Sequence, residues 1–158
     1  MKVFIASSFA YIDAEIAKAR KETIAQAADI LRHRGYEVFV PHEQVLPDAW
    51  NLSNYEWAMH VAEDDKRNIL SSDVVVLLTY GKERNNSGVS FECGYVAGVN
   101  LYRKQHGEKP IILALVKMND EVESLMMWSS SDIQVRGIEA LKTIDFNEKS
   151  VLKDVELS

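Results

Sequence analysis

Apolar positions along the chain alternate between short continuous runs and stretches at helical spacing. Lys2 to Ala6 (KVFIA) is an apolar run with β-branched and aromatic residues, closed by Ser7 and Ser8. It predicts a buried first strand and its exit loop. From Asp13 to Arg34 apolar residues recur at Ile16, Ala19, Ala27, Ile30 and Leu31, with Asp13 placed to cap the start and Gly35 to end the pattern. That predicts one long helix. Glu37 to Val40 (EVFV) reads as a second strand stopped by Pro41, and the polar, proline-containing stretch to about Asn54 as a loop long enough to be functional. Tyr55 to Leu70 reads as a helix. Val74 to Leu78 (VVVLL), the most apolar run in the chain, suits a central strand covered on both faces.

The second half continues the alternation. Gly81 to Gly88 (GKERNNSG) is a polar loop, and Val89 to Arg103 a helix whose small residues Gly94, Ala97 and Gly98 predict close packing on the sheet. Pro110 to Val116 (PIILALV) is a fourth strand, Asp132 to Val135 a short fifth, and Ile138 to Lys142 a last helix. Strand and helix alternate without a repeat or a low-complexity segment. The expectation is an α/β fold over residues 1–158: a single-domain doubly wound (Rossmann/flavodoxin-like) parallel five-stranded sheet with helices on both faces. In such sheets ligands bind beyond the carboxyl ends of the strands. That selects the loops after Ala6, Val40, Leu78 and Val116.

Composition narrows the partners. The chain has 158 residues, of which 47% are hydrophobic and 27% charged, so one ordinary globular core is affordable without disulfides. A formal charge of -6 and a pI near 5.2 argue against polymeric nucleic acid, whose affinity rests on Lys and Arg displacing counterions. A small anionic ligand remains compatible. Cys93 is the only cysteine, and His33, His42, His60 and His106 are scattered without metal-ligand spacing, so no metal or other cofactor is expected. MKVFIASSF is too short an apolar run for a signal peptide, and no segment reaches the ~20 apolar residues needed to span a bilayer. A cytoplasmic protein with no membrane partner is the expectation.

The richest candidate segment is NNSGVSFECGYVAG, Asn85 to Gly98, where a polar glycine loop runs into a helix that carries Glu92 in its first turns. Glu92 suits either of two roles: a solvated carboxylate complementing the helix dipole, or a nucleophile or base in a partly apolar cleft. Asp65, in AEDDKRNILSSD, is either a surface charge beside Glu63 and Asp64 or a second carboxylate reaching the same cleft. Two carboxylates in different environments are what glycosidic bond cleavage needs: one to attack the anomeric carbon, one to handle the leaving-group proton. Cys93 reads as a buried small residue rather than a nucleophile. Trp50, Trp57 and Trp128 suit core or interface better than a base pocket. Met126, Met127 and Trp128 form an apolar cluster suited to a subunit contact.

These segments carry a family resemblance. VFIASSF, Asp65 followed by NILSSDVVVLL, NNSGVSFECGYVAG, SLMMWSSSD from Ser124 and the closing LKTIDFNEK together resemble the nucleoside 2-deoxyribosyltransferase family, including its related nucleotide N-hydrolases. The resemblance implies Glu92 as the nucleophile of a covalent deoxyribosyl intermediate and Asp65 as proton donor and acceptor for the base. It places Phe9 at the nucleobase by stacking and Gln44 by hydrogen bonding. Phe4, Ser7, Asn86, Gly88, Ser124 and Met126 complete the set that it puts at the substrate. It further implies nucleosides or nucleoside monophosphates and free nucleobases as partners, and a homo-oligomer, dimer-based and up to a hexamer, whose neighbours complete each site.

Three positions depart from the family pattern. Phe4 stands where a Tyr commonly hydrogen-bonds the nucleophile, Asn86 where the motif usually begins with Asp, and Ser124 where transferases often supply an Asn. Loss of the Asp charge removes a repulsion against a 5′-phosphate, and Ser124 is able to donate to one; this pattern resembles the nucleotide N-hydrolases. The leading expectation is base exchange on 2′-deoxyribose. The alternatives are a nucleoside 5′-monophosphate N-glycosidase with water as acceptor, and a nucleotide-binding module that has lost the chemistry, the last motivated by Phe4.

Overall fold

The computed structural model describes residues 1–8, 13–81 and 87–153. Five strands, β1 (Lys2–Ser7), β2 (Glu37–Phe39), β3 (Val74–Thr79), β4 (Ile112–Lys117) and β5 (Ile133–Arg136), form one parallel sheet in the order β2-β1-β3-β4-β5. The expected sheet is therefore present, with the strand order of the flavodoxin-like class. β3 is buried at every position, because it pairs with β1 from Val3↔Val74 to Ser7↔Leu78 and with β4 from Val74↔Ile112 to Thr79↔Lys117. A strand with neighbours on both edges and helices on both faces has no polar side left, which is why VVVLLT carries no alternation.

Among the described residues four α-helices cover the sheet: α1 (Ala14–His33), α2 (Asn54–Leu70), α3 (Ser87–Gln105) and α4 (Leu125–Ser130). On one face Ile24, Ala27, Ala28 and Leu31 of α1 and Leu141 pack on Val3, Ile5, Val74, Val76 and Leu78. On the other, Ile69 of α2, Val89, Cys93 and Val96 of α3, and Met127 and Trp128 of α4 pack on Phe4, Ala6, Val75 and Leu77. Asp13 caps α1 as expected, accepting from the Glu15 and Ile16 amides at 2.9 and 3.1 Å. Gly35 follows its end at φ +83°, a conformation that costs other residues more. α2 starts with a capping box in which Ser53 and Glu56 satisfy each other's backbone amides.

Several expected details differ. Ile16 and Ala19 are exposed, and α1 buries Arg20, Ile24, Ala27, Ala28 and Leu31 instead. α3 begins at Ser87, and its small residues Gly94, Ala97 and Gly98 face outward. The larger Val89, Cys93 and Val96 take the sheet side, since burying them removes more apolar area from water. Ile138–Lys142 is a 3-10 turn rather than an α-helix. Of the MMW cluster only Met126 is exposed; Met127 and Trp128 belong to the core.

Beyond the carboxyl ends of β3 and β4 lies a buried polar knot. Lys117 and Glu123 are both almost wholly buried with Nζ and Oε1 3.9 Å apart. Thr79 donates to Glu123 at 2.8 Å, and Lys117 donates to the Glu121 carbonyl. Gly81 (φ +72°) is required here, because a Cβ on it would overlap Glu121. The knot ties the exit of β3 to the segment that leads into α4.

Candidate active site

The β1–β3 boundary is where the strand order reverses, the place where open α/β sheets bind ligands. A cavity of about 1030 Å³ opens there, walled by Ser7 and Ser8 after β1, by Pro41, His42 and Gln44 after β2, and by faces of α1, α2 and α3. Each of the last two helices turns one stripe toward it. On α2 the stripe is Trp57, Val61 and Asp65, four residues apart, and on α3 it is Gly88 and Glu92, also four apart. Asp65 and Glu92 therefore meet across the gap between the helices, although 27 positions separate them in sequence.

Their environment is apolar enough to change both. Burial, reinforced by the Asp65 charge, pushes the Glu92 carboxyl up to about 8. Burial, reinforced by the Asp64 charge, pushes Asp65 up to about 6. Two interacting carboxyls titrate as a pair, and this pair holds a single proton across neutral pH. Glu92, the more basic member, keeps it. One nucleophile and one acid require the same inventory: two carboxyls, one proton. Cys93, adjacent to Glu92, points into the core with Val89 and Val96, and burial pushes its thiol up to about 11, which leaves it protonated and inert.

Among the other residues expected at the substrate, Ser7, Gln44 and Gly88 line the cavity. The Ser7 Oγ is buried and finds no hydrogen-bond partner among the described residues. Phe4 does not line the cavity: it is fully buried, stacked on Phe39 with ring centroids 5.5 Å apart, and it is Phe39 that reaches the cavity wall. Ser124 immediately precedes α4 and Met126 lies in its first turn, 72% exposed; neither lines the cavity of its own chain. Phe9 and Asn86 lie outside the described residues. Trp57 is a wall of the cavity, whereas Trp50 is exposed elsewhere and Trp128 is core.

Lys21 and Val61 were not singled out in the sequence, and His42 and His60 stood only as scattered histidines; all four line the cavity. His42 had an available signal, since it directly follows Pro41 at the carboxyl end of β2. Lys21 had none, because α1 is helical on every side and only the tertiary packing shows which face meets the cavity. Among the described residues no cluster of His, Cys, Asp or Glu is arranged to hold a metal ion, and no helix is long and apolar enough to cross a membrane.

The family model for nucleoside 2-deoxyribosyltransferase matches residues 3–124. No protein of curated function matches the sequence significantly. Among solved structures, the fold is similar to a 2-deoxyribosyltransferase from the psychrotolerant bacterium Bacillus psychrosaccharolyticus, with a TM-score of 0.78 and 20% identity over 97% of this chain and 100% of that one. It is also similar to a conserved protein from Enterococcus faecalis V583, with a TM-score of 0.53 and 14% identity over 97% of this chain and 91% of that one. With a match that spans β1 to the start of α4 and includes both Asp65 and Glu92, this chain belongs to the nucleoside 2-deoxyribosyltransferase family.

Proposed function

We propose that this enzyme exchanges nucleobases on 2′-deoxyribose through a deoxyribosyl group carried covalently on Glu92. The observation that carries the proposal is the pairing of Glu92 and Asp65 in one cavity, where burial raises the proton affinity of both. The Glu92 carboxylate attacks C1′, and the bond from C1′ to the base nitrogen breaks with its electron pair going to the base. Asp65 supplies the proton that the departing base takes up. A second base then gives its proton to Asp65 and attacks C1′, which frees Glu92.

This sequence needs the proton on Asp65 and the charge on Glu92, the reverse of the resting arrangement. Burial favours the proton on Glu92 over Asp65 in the resting pair, so the swap costs free energy. Positive charge developing at C1′ offsets that cost, because it favours the ionised form of the carboxylate beneath it. An apolar cleft that raises Glu92 in the resting protein thus makes its charge more effective once the sugar becomes cationic. The unpartnered Ser7 hydroxyl and the Gln44 amide supply hydrogen bonds for sugar and base.

We propose further that neighbouring copies complete each site. Phe91, Leu101 and Tyr102 are more than half exposed along α3, beside the open positions Gly94 and Gly98; Leu125 and Met126 are similarly exposed on α4. A second copy covering this face would bring Ser124 and Met126 toward its neighbour's cavity. A second reading, a nucleoside 5′-monophosphate N-glycosidase with the same carboxylates and water as acceptor, is favoured by Ser124: its hydroxyl does not cap α4 and so is able to meet a phosphate.

Chromatography of deoxyinosine incubated with the enzyme, with and without adenine, tests the first reading. Deoxyadenosine formed in the presence of adenine is the expected product. Base release from deoxynucleoside monophosphates alone, with no new nucleoside formed, would establish the second reading instead.

A further inference from the structure

Burying a charge costs free energy even when it is paired, and a well-packed apolar pair of similar volume is often as stable. Lys117 and Glu123 are nonetheless 3% and 1% exposed, at the carboxyl end of the sheet, where the cavity also opens. What such a pair supplies beyond stability is one fixed geometry. The chain around it is held at several points. Thr79 Oγ1 donates to Glu123 Oε1 at 2.8 Å, Asn119 Nδ2 to the Tyr80 carbonyl at 3.1 Å, and the Met118 amide to the Thr79 carbonyl at 2.8 Å. Gly81 runs so close to Glu121 that no Cβ fits between them.

Packing connects this fixed point to the nucleophile. Glu123 directly precedes Ser124, and α4 follows at once with Met127 and Trp128 buried. Ser90 Oγ of α3 donates to Met127 Sδ at 3.7 Å, and Met127 and Trp128 share a core cluster with Val89 and Cys93. Ser90 and Cys93 bracket Glu92 within about one helical turn. The far end of α4 is tied separately: Gln134 Nε2 donates to the Trp128 carbonyl and Ser131 Oγ to the Met127 carbonyl, both at 2.7 Å. The near end hangs on the segment that Glu123 anchors. We propose that Glu123 is a positioning residue for Glu92: fixed by Thr79 and Lys117, it seats α4 against the first turns of α3 and so sets where the Glu92 carboxylate stands. This rests on the exchange reading above.

The test uses the whole enzyme and exchange between deoxyinosine and adenine. Thr79→Val removes the donor to Glu123 and keeps a β-branched side chain in a buried strand, while Lys117 still faces the carboxylate. The kcat should fall by roughly tenfold with KM little changed, because substrate still binds but the nucleophile is displaced. The alkaline limb of kcat/KM, near about 8 in the intact site, should move to lower pH, since water entering beside a loosened α3 relieves the burial that holds the proton on Glu92. Thr79→Ser keeps the hydroxyl and should restore most of both. Should Thr79→Val not fold, Lys117→Met with Glu123→Leu fills the same space without charge and is held to the same two readouts. A kcat and limb unmoved in the folded variant, whatever its Tm, would overturn the proposal, as would Thr79→Ser sharing the whole loss. The Tm gain that Glu92→Gln brings at pH 8 is a readout without turnover, and it should shrink in the Thr79→Val background. No exchange by the wild-type enzyme, alongside a shrunken gain, would overturn the exchange reading and leave the role of Glu123 standing; an unchanged gain would overturn that role.

Discussion

Glu92 and Asp65 differ by one methylene, yet the fold gives them different proton affinities, and the consequence at the residue scale is a pH dependence. Exchange requires one proton on the pair, so the kcat/KM profile is expected to be bell-shaped, with limbs near about 6 and about 8. A profile flat from pH 5 to 9 would disconnect the pair from the chemistry. Stability carries the opposite mark. Because the folded protein holds a proton on Glu92 that the unfolded chain releases nearer its ordinary value of 4.5, stability falls as pH rises from there to about 8. Glu92→Gln removes that penalty. It should raise the Tm at pH 8 while impairing catalysis, and the gain should vanish below pH 4.5, where Glu92 is neutral in both states. Both carboxylates were legible from the segments around them. The order of their proton affinities was not, since it depends on burial between two helices whose packing no single segment encodes. Lys21 was hidden for the same reason.

At the scale of elements, strands were read well because continuous apolar runs leave few alternatives: KVFIA, VVVLL and PIILALV all contain strands near their expected bounds. Helix faces were read less well. In α3 the small residues Gly94, Ala97 and Gly98 suggested close packing on the sheet, but Val89, Cys93 and Val96 lie four and three apart and offer a competing stripe of greater apolar area. The polar knot beside α4 was invisible, as Lys117 closes an apolar strand and Glu123 lies six residues away in a loop. Lys117→Ala removes the cation facing a buried carboxylate and should destabilise the fold by about 3–5 kcal/mol in urea titration. Lys117→Met combined with Glu123→Leu should restore most of it. If Lys117→Ala were as stable as wild type, the knot would contribute nothing to stability.

For the whole molecule, the order β2-β1-β3-β4-β5 places the reversal of strand direction of travel at β1 and β3, and the cavity follows from it. The expected sheet and its site therefore came from one property of the sequence, the alternation of strands with helices. Association of copies is a property of this scale too. Phe91 is 57% exposed on the outward stripe of α3, and if that stripe is an interface, Phe91→Asp should shift the protein to a smaller species in analytical ultracentrifugation. A monomer in the unmodified protein would refute shared sites.

The most direct test of the account is peptide mass spectrometry of the enzyme acid-quenched during turnover of deoxyinosine. A deoxyribosyl adduct is expected on the peptide that contains Glu92 and not in Glu92→Ala, whose exchange rate should fall by roughly a thousandfold or more. Full exchange by Glu92→Ala, or an adduct on a different carboxylate, would contradict it.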